Sequence, residues 1–268
     1  MRKISIGFVI YNTTPSLISR LKLALESGFT VYVFDNSPEN GIARDFCKSE
    51  TKCIYTTCGK NVGLGFGISS VCAQAYYDSF LASIFFDQDT MFDKSTLDFI
   101  EEFYTRNRSL ESNYSAVTFN ARNFSVSNVG DKFKFNDVLM TINSGSLFFL
   151  ENLKKLNWLN ETYFVDCVDY EFCLNSSNNN MKIGECSITP GYDHDTEQGD
   201  TKYFIFGKQR KLRKYSATRV LDTALASSRL LFASIVTGNI KFSMAILRSL
   251  TGYLFWQLFV RLIKVIKP

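Results

Sequence analysis

The sequence predicts an α/β chain: a mostly parallel central sheet flanked by helices, with a helical C-terminal tail. Three observations lead there. Strand-length apolar runs at residues 4–11, 30–34 and 81–86 have the pattern of strands buried on both faces. Between the first two lies a stretch of helical period, so the chain opens as β-α-β, which implies parallel strands joined by a right-handed crossover. Finally, residues 206–268 turn basic, apolar and poor in acids. We therefore expect a nucleotide-binding type of domain over 1–205 and a basic, amphipathic helical region over 206–268. At 268 residues and 46% hydrophobic content the chain has enough material for a sizeable core.

In chain order, Asn12-Thr-Thr-Pro15-Ser16 supplies capping residues and a helix-start proline. Leu17, Ile18, Leu21, Leu23, Ala24 and Leu25 follow at helical spacing, and Gly28 closes that helix. A short helix is expected over 45–52 and a short strand over 53–57. Asn61-Val-Gly63-Leu-Gly65-Phe-Gly67 then leads into a helix reaching Phe80. After the 81–86 strand come a helix over 97–104, a strand over 116–121 and a polar loop or hairpin over 123–137. Asn143-Ser-Gly145-Ser reads as a turn into a strand, followed by a short helix over 151–158 and a strand over 181–189.

The chemistry gathers at the strand ends. Leu81 to Phe86 runs directly into Asp87-Gln-Asp89-Thr90. Carboxylates resist full burial, so Asp87 and Asp89 should lie where the strand leaves the core, the edge at which open α/β sheets bind ligands. Two hard oxygen donors suit Mg²⁺ or Mn²⁺ carrying a phosphorylated substrate. The competing reading is a helix cap, since Thr90, Asp93 and Ser95 are capping types. Asp35 ends the second strand at the same edge, suited to a turn or to a ribose hydroxyl or base N–H. Tyr11 ends the first strand there. The alternating glycines at 63, 65 and 67 let backbone approach a ligand and offer N–H groups to an anion; a plain glycine-rich helix start fits equally well.

Tyr163-Phe-Val-Asp166-Cys-Val-Asp169-Tyr-Glu171 carries acids at i, i+3 and i+5. On a helix, Asp166 and Asp169 share a face and Glu171 points elsewhere. An acid held in aromatic surroundings gains a raised pKa and suits a general base; an amphipathic helix start with acids at its positive end is the alternative. Asp193-His194-Asp195 is expected to be a polar loop. It holds the chain's one histidine, and an imidazole is a natural third metal ligand beside two carboxylates.

The seven cysteines form no C-x-x-C pair and read as reduced thiols of a cytosolic protein. No signal peptide is expected, because the N-terminus runs straight into a strand. The modest net charge of +4 gives no indication of nucleic acid as a partner. Residues 240–268 combine Tyr253, Trp256 and aliphatic side chains with charges that are all positive. Their longest uncharged run, 249–260, is too short to span a bilayer. This pattern is that of an interfacial helix on an anionic membrane, with packing on the domain or in a homo-oligomer as the alternative.

The order of these motifs resembles that of family 2 glycosyltransferases with the GT-A fold: a strand ending in Asp-Asn-Ser, the Asn-x-Gly-x-Gly helix start, Phe-Asp-Gln-Asp-Thr, Val-Asp-Tyr-Glu-Phe-Cys-Leu, and a late histidine. Within that family it is most similar to bacterial rhamnosyltransferases, with their Leu-Asp-Gln-Asp-Ser and Phe-Ile-Asp-x-Val-Asp-x-Glu-Trp-Cys-Leu-Arg motifs. The resemblance covers about residues 3–200. It implies an inverting, metal-dependent transferase using Mg²⁺ or Mn²⁺. The implied donor is a nucleotide-diphosphate sugar, with dTDP-L-rhamnose favoured and a UDP-hexose or UDP-galactofuranose as alternatives. The implied acceptor is a polyprenyl-diphosphate-linked glycan of bacterial surface polysaccharide synthesis, at the cytoplasmic face of the cell membrane. By resemblance, Asp35 recognises base or ribose within a donor-binding set that also holds Tyr11, Asn61, Gly63, Gly65 and Asp87. Asp87 and Asp89 hold metal and diphosphate, Asp169 is the base, and His194 completes the metal shell. Two positions depart from the pattern: Asn175 stands where an arginine is usual, and Ser69 where a second asparagine is usual.

Two other classes compete. A phosphatase of the Asp-x-Asp-x-Thr kind needs threonine where Met91 stands and a motif after the first strand. A non-catalytic sugar-nucleotide-binding protein draws support from Asn175 and Ser69 alone, against retention of every acid.

Overall fold

The computed structural model describes residues 3–39, 41–119, 135–194, 201–205 and 208–262. The chain forms two compact units, residues 1–195 and 196–268. The first contains the strands β1 (Ile4–Ile10), β2 (Val31–Asp35), β3 (Cys53–Thr57), β4 (Ala82–Asp87), β5 (Thr90–Met91), β6 (Tyr114–Thr118), β7 (Phe135–Val138), β8 (Ser146–Phe149), β9 (Lys182–Cys186) and β10 (Asp193–His194). Eight of them form one sheet in the order β3-β2-β1-β4-β8-β6-β9-β7, and β5 with β10 makes a small separate ladder.

The left half of the sheet is parallel: β1 pairs with β2 and β4, and β2 with β3. Every residue of β1, β2 and β6 is buried, as are the first five of β4. The apolar runs are therefore central strands covered on both faces, as their lack of alternation requires. β8 runs antiparallel to both β4 and β6. It thus enters the sheet at the edge where β4 leaves it.

Helix α1 (Pro15–Glu26) starts on its proline, and Gly28 follows its end at φ +87°. After α2 (Ile42–Ser49), α3 (Leu64–Tyr77) lies close across β1. A Cβ on Gly7 would come within 2.9 Å of Val71, and one on Gly67 within 2.7 Å of Val9. The helix–strand spacing depends on glycine on both sides. Next come α4 (Lys94–Arg106), α5 (Leu150–Lys155) and α6 (Val168–Asn178). Of the polar segment expected over 123–137, residues 123–134 lie outside the described set, and Phe135–Val138 forms the sheet's last strand.

The second unit begins with an antiparallel pair, β11 (Thr201–Ile205) and β12 (Lys208–Leu212). A wholly helical region was expected from residue 206. Lys-Gln-Arg-Lys-Leu offers no apolar stripe at helical spacing, and its backbone pairs instead with a Thr-, Tyr-, Phe- and Ile-rich partner of high strand preference. Helices α7 (Ala217–Val236) and α8 (Ile240–Leu262) follow and pack on each other. The Ser216 hydroxyl caps α7 by accepting from Arg219 N at 3.1 Å.

This helix pair buries a mixed face. Ser227, Ser234, Ser243 and Gln257 are buried together with Leu230, Phe242, Ile246 and Val260, and the Ser234 and Ser243 hydroxyls meet at 2.8 Å. Leu221, Leu225, Phe232, Ile235 and Val236 of α7 are exposed, as are Ile240, Met244, Leu247, Phe255, Leu258 and Leu262 of α8. On each helix these exposed residues fall on one face at helical period and so form a stripe. Among the described residues, no helix is long and apolar enough to cross a membrane.

Candidate active site

Strand register brings the predicted acids together. Ile10 of β1 lies opposite Asp35 of β2, and Val9 lies opposite Asp87 of β4. Asp35 and Asp87 therefore end strands on either side of β1, and Tyr11 continues from β1 between them. Asn143 to Gly145 leads into β8 at the same edge, with Gly145 N donating to Phe85 O at 2.8 Å.

The turn after β4 carries Asp87, Gln88 and Asp89. The helix-capping role belongs to Asp93, whose carboxylate accepts from Thr96 N at 3.0 Å; Asp87 and Asp89 take no part in that cap. Asp87 N donates to Ser144 Oγ at 3.0 Å, and Thr90 Oγ1 meets the same Ser144 Oγ at 2.7 Å. Gln88 Oε1 accepts from Tyr11 N at 2.8 Å. Below the turn, the buried Arg20 donates to Gln88 O and places Nη1 2.9 Å from Met91 Sδ. His194 is not in a loop as expected. Its backbone pairs with Thr90 across the β5–β10 ladder, one residue from Asp89. The His194 side chain and Asp195 lie outside the described residues. Among the described residues no group of three or more His, Cys, Asp or Glu is placed to hold a metal. Two partly exposed carboxylates one residue apart nevertheless fit a hard divalent cation that takes its remaining oxygens from a diphosphate and water.

Asp169 stands in the first turn of α6. Its Oδ1 accepts from Asn143 N at 3.2 Å. Burial pushes its carboxyl up to about 6; the Asn143 hydrogen bond opposes the rise and the Asp166 charge adds to it. A carboxyl tuned near neutrality is what proton abstraction from a hydroxyl requires. The expectation that Asp166 and Asp169 share a helical face is corrected. Cys167 adopts φ +65°, a left-handed conformation, and α6 starts only at Val168. Asp166 precedes the helix and acts on Asp169 through charge.

The buried Tyr192 links the two acid groups. Its hydroxyl donates to Ser144 O. Burial raises its pKa, and the charges of Asp87 and Asp169 raise it further, so one phenol senses both. Gly145, at φ +73°, lies under this ring: a Cβ there would come within 1.7 Å of Tyr192 Cε1.

Asp35 is 1% exposed, with Oδ1 accepting from Ser37 N and Oδ2 from Tyr55 OH, both at 2.8 Å. Each oxygen has one further lone pair beyond these bonds. At the glycine-rich helix start, read equally as an anion site or a plain helix start, backbone N–H groups are engaged within the protein. Val62 N donates to Asn36 Oδ1, Gly63 N to Asn61 Oδ1 and Leu64 N to Phe164 O. A Cβ on Gly63, at φ +94°, would meet Phe164 O at 2.7 Å, and one on Gly65 would meet Asn160 O at 2.9 Å. Close approach is the reason for these glycines, but what approaches is the 160–164 segment. Tyr11 is 44% exposed at the strand edge.

Sequence reasoning passed over Asn143, Ser144, Tyr192 and Arg20 as site residues. The first two were read as a turn. Arg20 carried a signal, a cation among Leu17, Leu21 and Ala24 on the buried face of α1.

No protein-family profile matches the chain, and no curated protein matches it in sequence. Solved structures do. S. aureus TarS superposes with a TM-score of 0.52 at 16% identity, over 85% of this chain and 39% of that one. The crystal structure of TarS 1–349 in complex with UDP-GlcNAc gives a TM-score of 0.55 at 16% identity, over 85% of this chain and 66% of that one. The chain thus spans less than two thirds of either neighbour. At such identity the likeness concerns the fold: a mostly parallel mixed sheet flanked by helices, the GT-A fold of glycosyltransferases, with a C-terminal helical region.

Proposed function

We propose that this protein is an inverting glycosyltransferase that uses a nucleotide-diphosphate sugar. The observation that carries the reading is the arrangement of Asp169 and Asp87. A carboxyl with a pKa of about 6 accepts from Asn143 N, and the hydroxyl of the next residue, Ser144, accepts from Asp87 N. A proton acceptor and an acidic turn suited to a diphosphate share one edge of a GT-A sheet.

In this reading Asp169 removes the proton of the acceptor hydroxyl, whose oxygen forms the new bond to the anomeric carbon. The bond from that carbon to the nucleoside diphosphate breaks on the opposite face, which inverts the centre. Asp35 and Tyr11 contact the nucleoside, and the Asn61 to Gly65 turn lies beside it. Asp87 and Asp89, with His194, would hold a Mg²⁺ or Mn²⁺ ion that offsets charge on the leaving diphosphate as a Lewis acid. TarS 1–349 is solved with UDP-GlcNAc, which makes UDP-sugars the first donors to test. The rhamnosyl reading, from dTDP-L-rhamnose, rests on the motif wording alone.

The proposed acceptor is a polyprenyl-diphosphate-linked glycan, met at the cytoplasmic membrane face by peripheral binding of the second unit. Thirteen of the thirty Lys and Arg residues but only three of the twenty-six acids lie in residues 196–268, the segment that also contains α7 and α8 with their exposed apolar residues.

A thermal-shift screen of UDP-, dTDP- and GDP-sugars with Mn²⁺, followed by release of nucleotide from the best binder, tests the proposal. Stabilisation by one nucleotide sugar and its slow hydrolysis are expected. No stabilisation by any of them would remove the reading.

A further inference from the structure

Asn143 is 2% exposed, and both its carboxamide atoms, Oδ1 and Nδ2, are shielded from solvent with no hydrogen-bond partner among the described residues. An Asn side chain has two donor hydrogens and an acceptor oxygen with two lone pairs. Leaving all of them unmet inside a protein is unfavourable, and native structures rarely tolerate it without a reason.

The location supplies a reason. The Asn143 backbone N–H donates to Asp169 Oδ1 at 3.2 Å. The next residue, Ser144, accepts from Asp87 N at 3.0 Å. The following residue, Gly145, donates to Phe85 O at the end of β4. Asn143 therefore lies between the proposed base and the acidic turn. In an inverting transfer, the sugar ring of the donor must occupy that interval, with its diphosphate at Asp87 and its reacting carbon facing Asp169. The segment is fixed through backbone hydrogen bonds, so the side chain is not needed to hold it in place.

Resting on the proposed transferase activity, we infer that the Asn143 carboxamide recognises a hydroxyl or acylamino group of the transferred sugar. It is a specificity-determining residue for the sugar and makes no contact with the nucleotide. In this reading the partner of the carboxamide is a polar group that the substrate brings. A buried site built to hydrogen-bond such a group discriminates strongly against ligands that lack it.

The test uses the full chain with Mn²⁺. Affinities are measured by calorimetry for bare UDP and dTDP and for UDP-GlcNAc, UDP-glucose and dTDP-L-rhamnose, in wild type and Asn143→Ala. The expected result is a bare-nucleotide affinity unchanged within about twofold, and an affinity for the best-bound nucleotide sugar reduced about tenfold or more. Asn143→Ser, which stays polar and keeps the backbone donor, gives the same comparison should the alanine variant not fold. Equal weakening of nucleotide and nucleotide sugar overturns the inference, because a merely structural residue would act on both. So does an unchanged affinity for both. Failure of the wild type to bind any of these nucleotides would instead remove the transferase reading itself.

Discussion

The Asp87 N–H donates to Ser144 Oγ over 3.0 Å, and the residue before Ser144 donates its own N–H to Asp169 Oδ1 over 3.2 Å. Two acids more than eighty positions apart in the chain are thus held by adjacent residues of one short segment. Its position follows from topology: β8 is antiparallel to β4, so the start of one strand lies beside the end of the other.

Asp169→Asn separates chemistry from stability. The variant keeps an oxygen for the Asn143 N–H but loses the proton acceptor. Turnover should fall about 10²-fold or more, the scale of a lost general base, while donor affinity stays near that of wild type. The folded state raises this carboxyl from 3.8 to about 6, so it binds the proton more tightly than the unfolded chain does. Stability therefore falls as pH rises from about 4 to 6, by on the order of 3 kcal/mol at most. At pH 8 Asp169→Asn should melt above wild type, and the two should converge near pH 4. Wild-type kcat/KM should decline on the acid side with an apparent pKa near 6. A variant that loses donor affinity and keeps turnover would move Asp169 to a binding role.

Asp89→Ala tests the metal. Asp89 is partly exposed, so its loss should leave the melting temperature nearly unchanged. Mn²⁺-dependent nucleotide binding should disappear, and turnover should drop at least about 100-fold, given the several kcal/mol that such an ion supplies. Calorimetric titration of nucleotide with Mn²⁺ and with EDTA measures this directly. Undiminished wild-type turnover in EDTA would end the metal assignment.

Gly145→Ala tests the packing beneath the site. The new methyl would overlap the Tyr192 ring, and φ +73° disfavours any side chain. Overpacking and backbone strain together should cost about 3 kcal/mol, read as a lower urea midpoint with an unchanged slope. Turnover of the folded fraction should also fall, because Asn143 and Ser144 immediately precede the altered residue. Wild-type stability in this variant would show that Tyr192 readily moves aside.

Much of this architecture was legible in the sequence because it is locally encoded. Unbroken apolar runs gave the central strands, and Pro15 and Gly28 bracketed α1. The abrupt change from Phe86 to Asp87 marked the strand end that carries the acids. What escaped notice depends on contacts distant in sequence. Tyr192 and Ser144 meet only when β8 and the 189–194 segment converge. The glycines at 63 and 65 are explained by a loop a hundred residues away. The left-handed Cys167, which delays α6 and removes Asp166 from it, has no signature in a run that scans as continuous helix. Arg20 was legible in principle, since a cation within an apolar stripe needs a buried acceptor, here Gln88 O.

The last prediction concerns α7 and α8. Their buried side mixes Ser227, Ser234, Ser243 and Gln257 with Leu230, Phe242, Ile246 and Val260, while Phe232, Ile235, Phe255 and Leu258 face outward. An apolar stripe left outward on helices of a basic segment suits an interfacial position on a lipid surface. An excess of ten positive charges across residues 196–268, counted from the sequence, favours anionic lipid; each basic residue near such a surface contributes about 1 kcal/mol, screened by salt. The full chain should co-sediment with phosphatidylglycerol-containing vesicles, bind pure phosphatidylcholine vesicles less, and be partly released by high salt. Phe255→Ser combined with Leu258→Ser changes only exposed positions, so folding and donor binding should persist while the salt-resistant fraction is lost. Unchanged vesicle binding by the double variant would remove the stripe from the membrane contact. A wild-type dimer in lipid-free solution that the double variant converts to monomer, with no vesicle binding by either protein, would assign the stripe to a second copy of the chain.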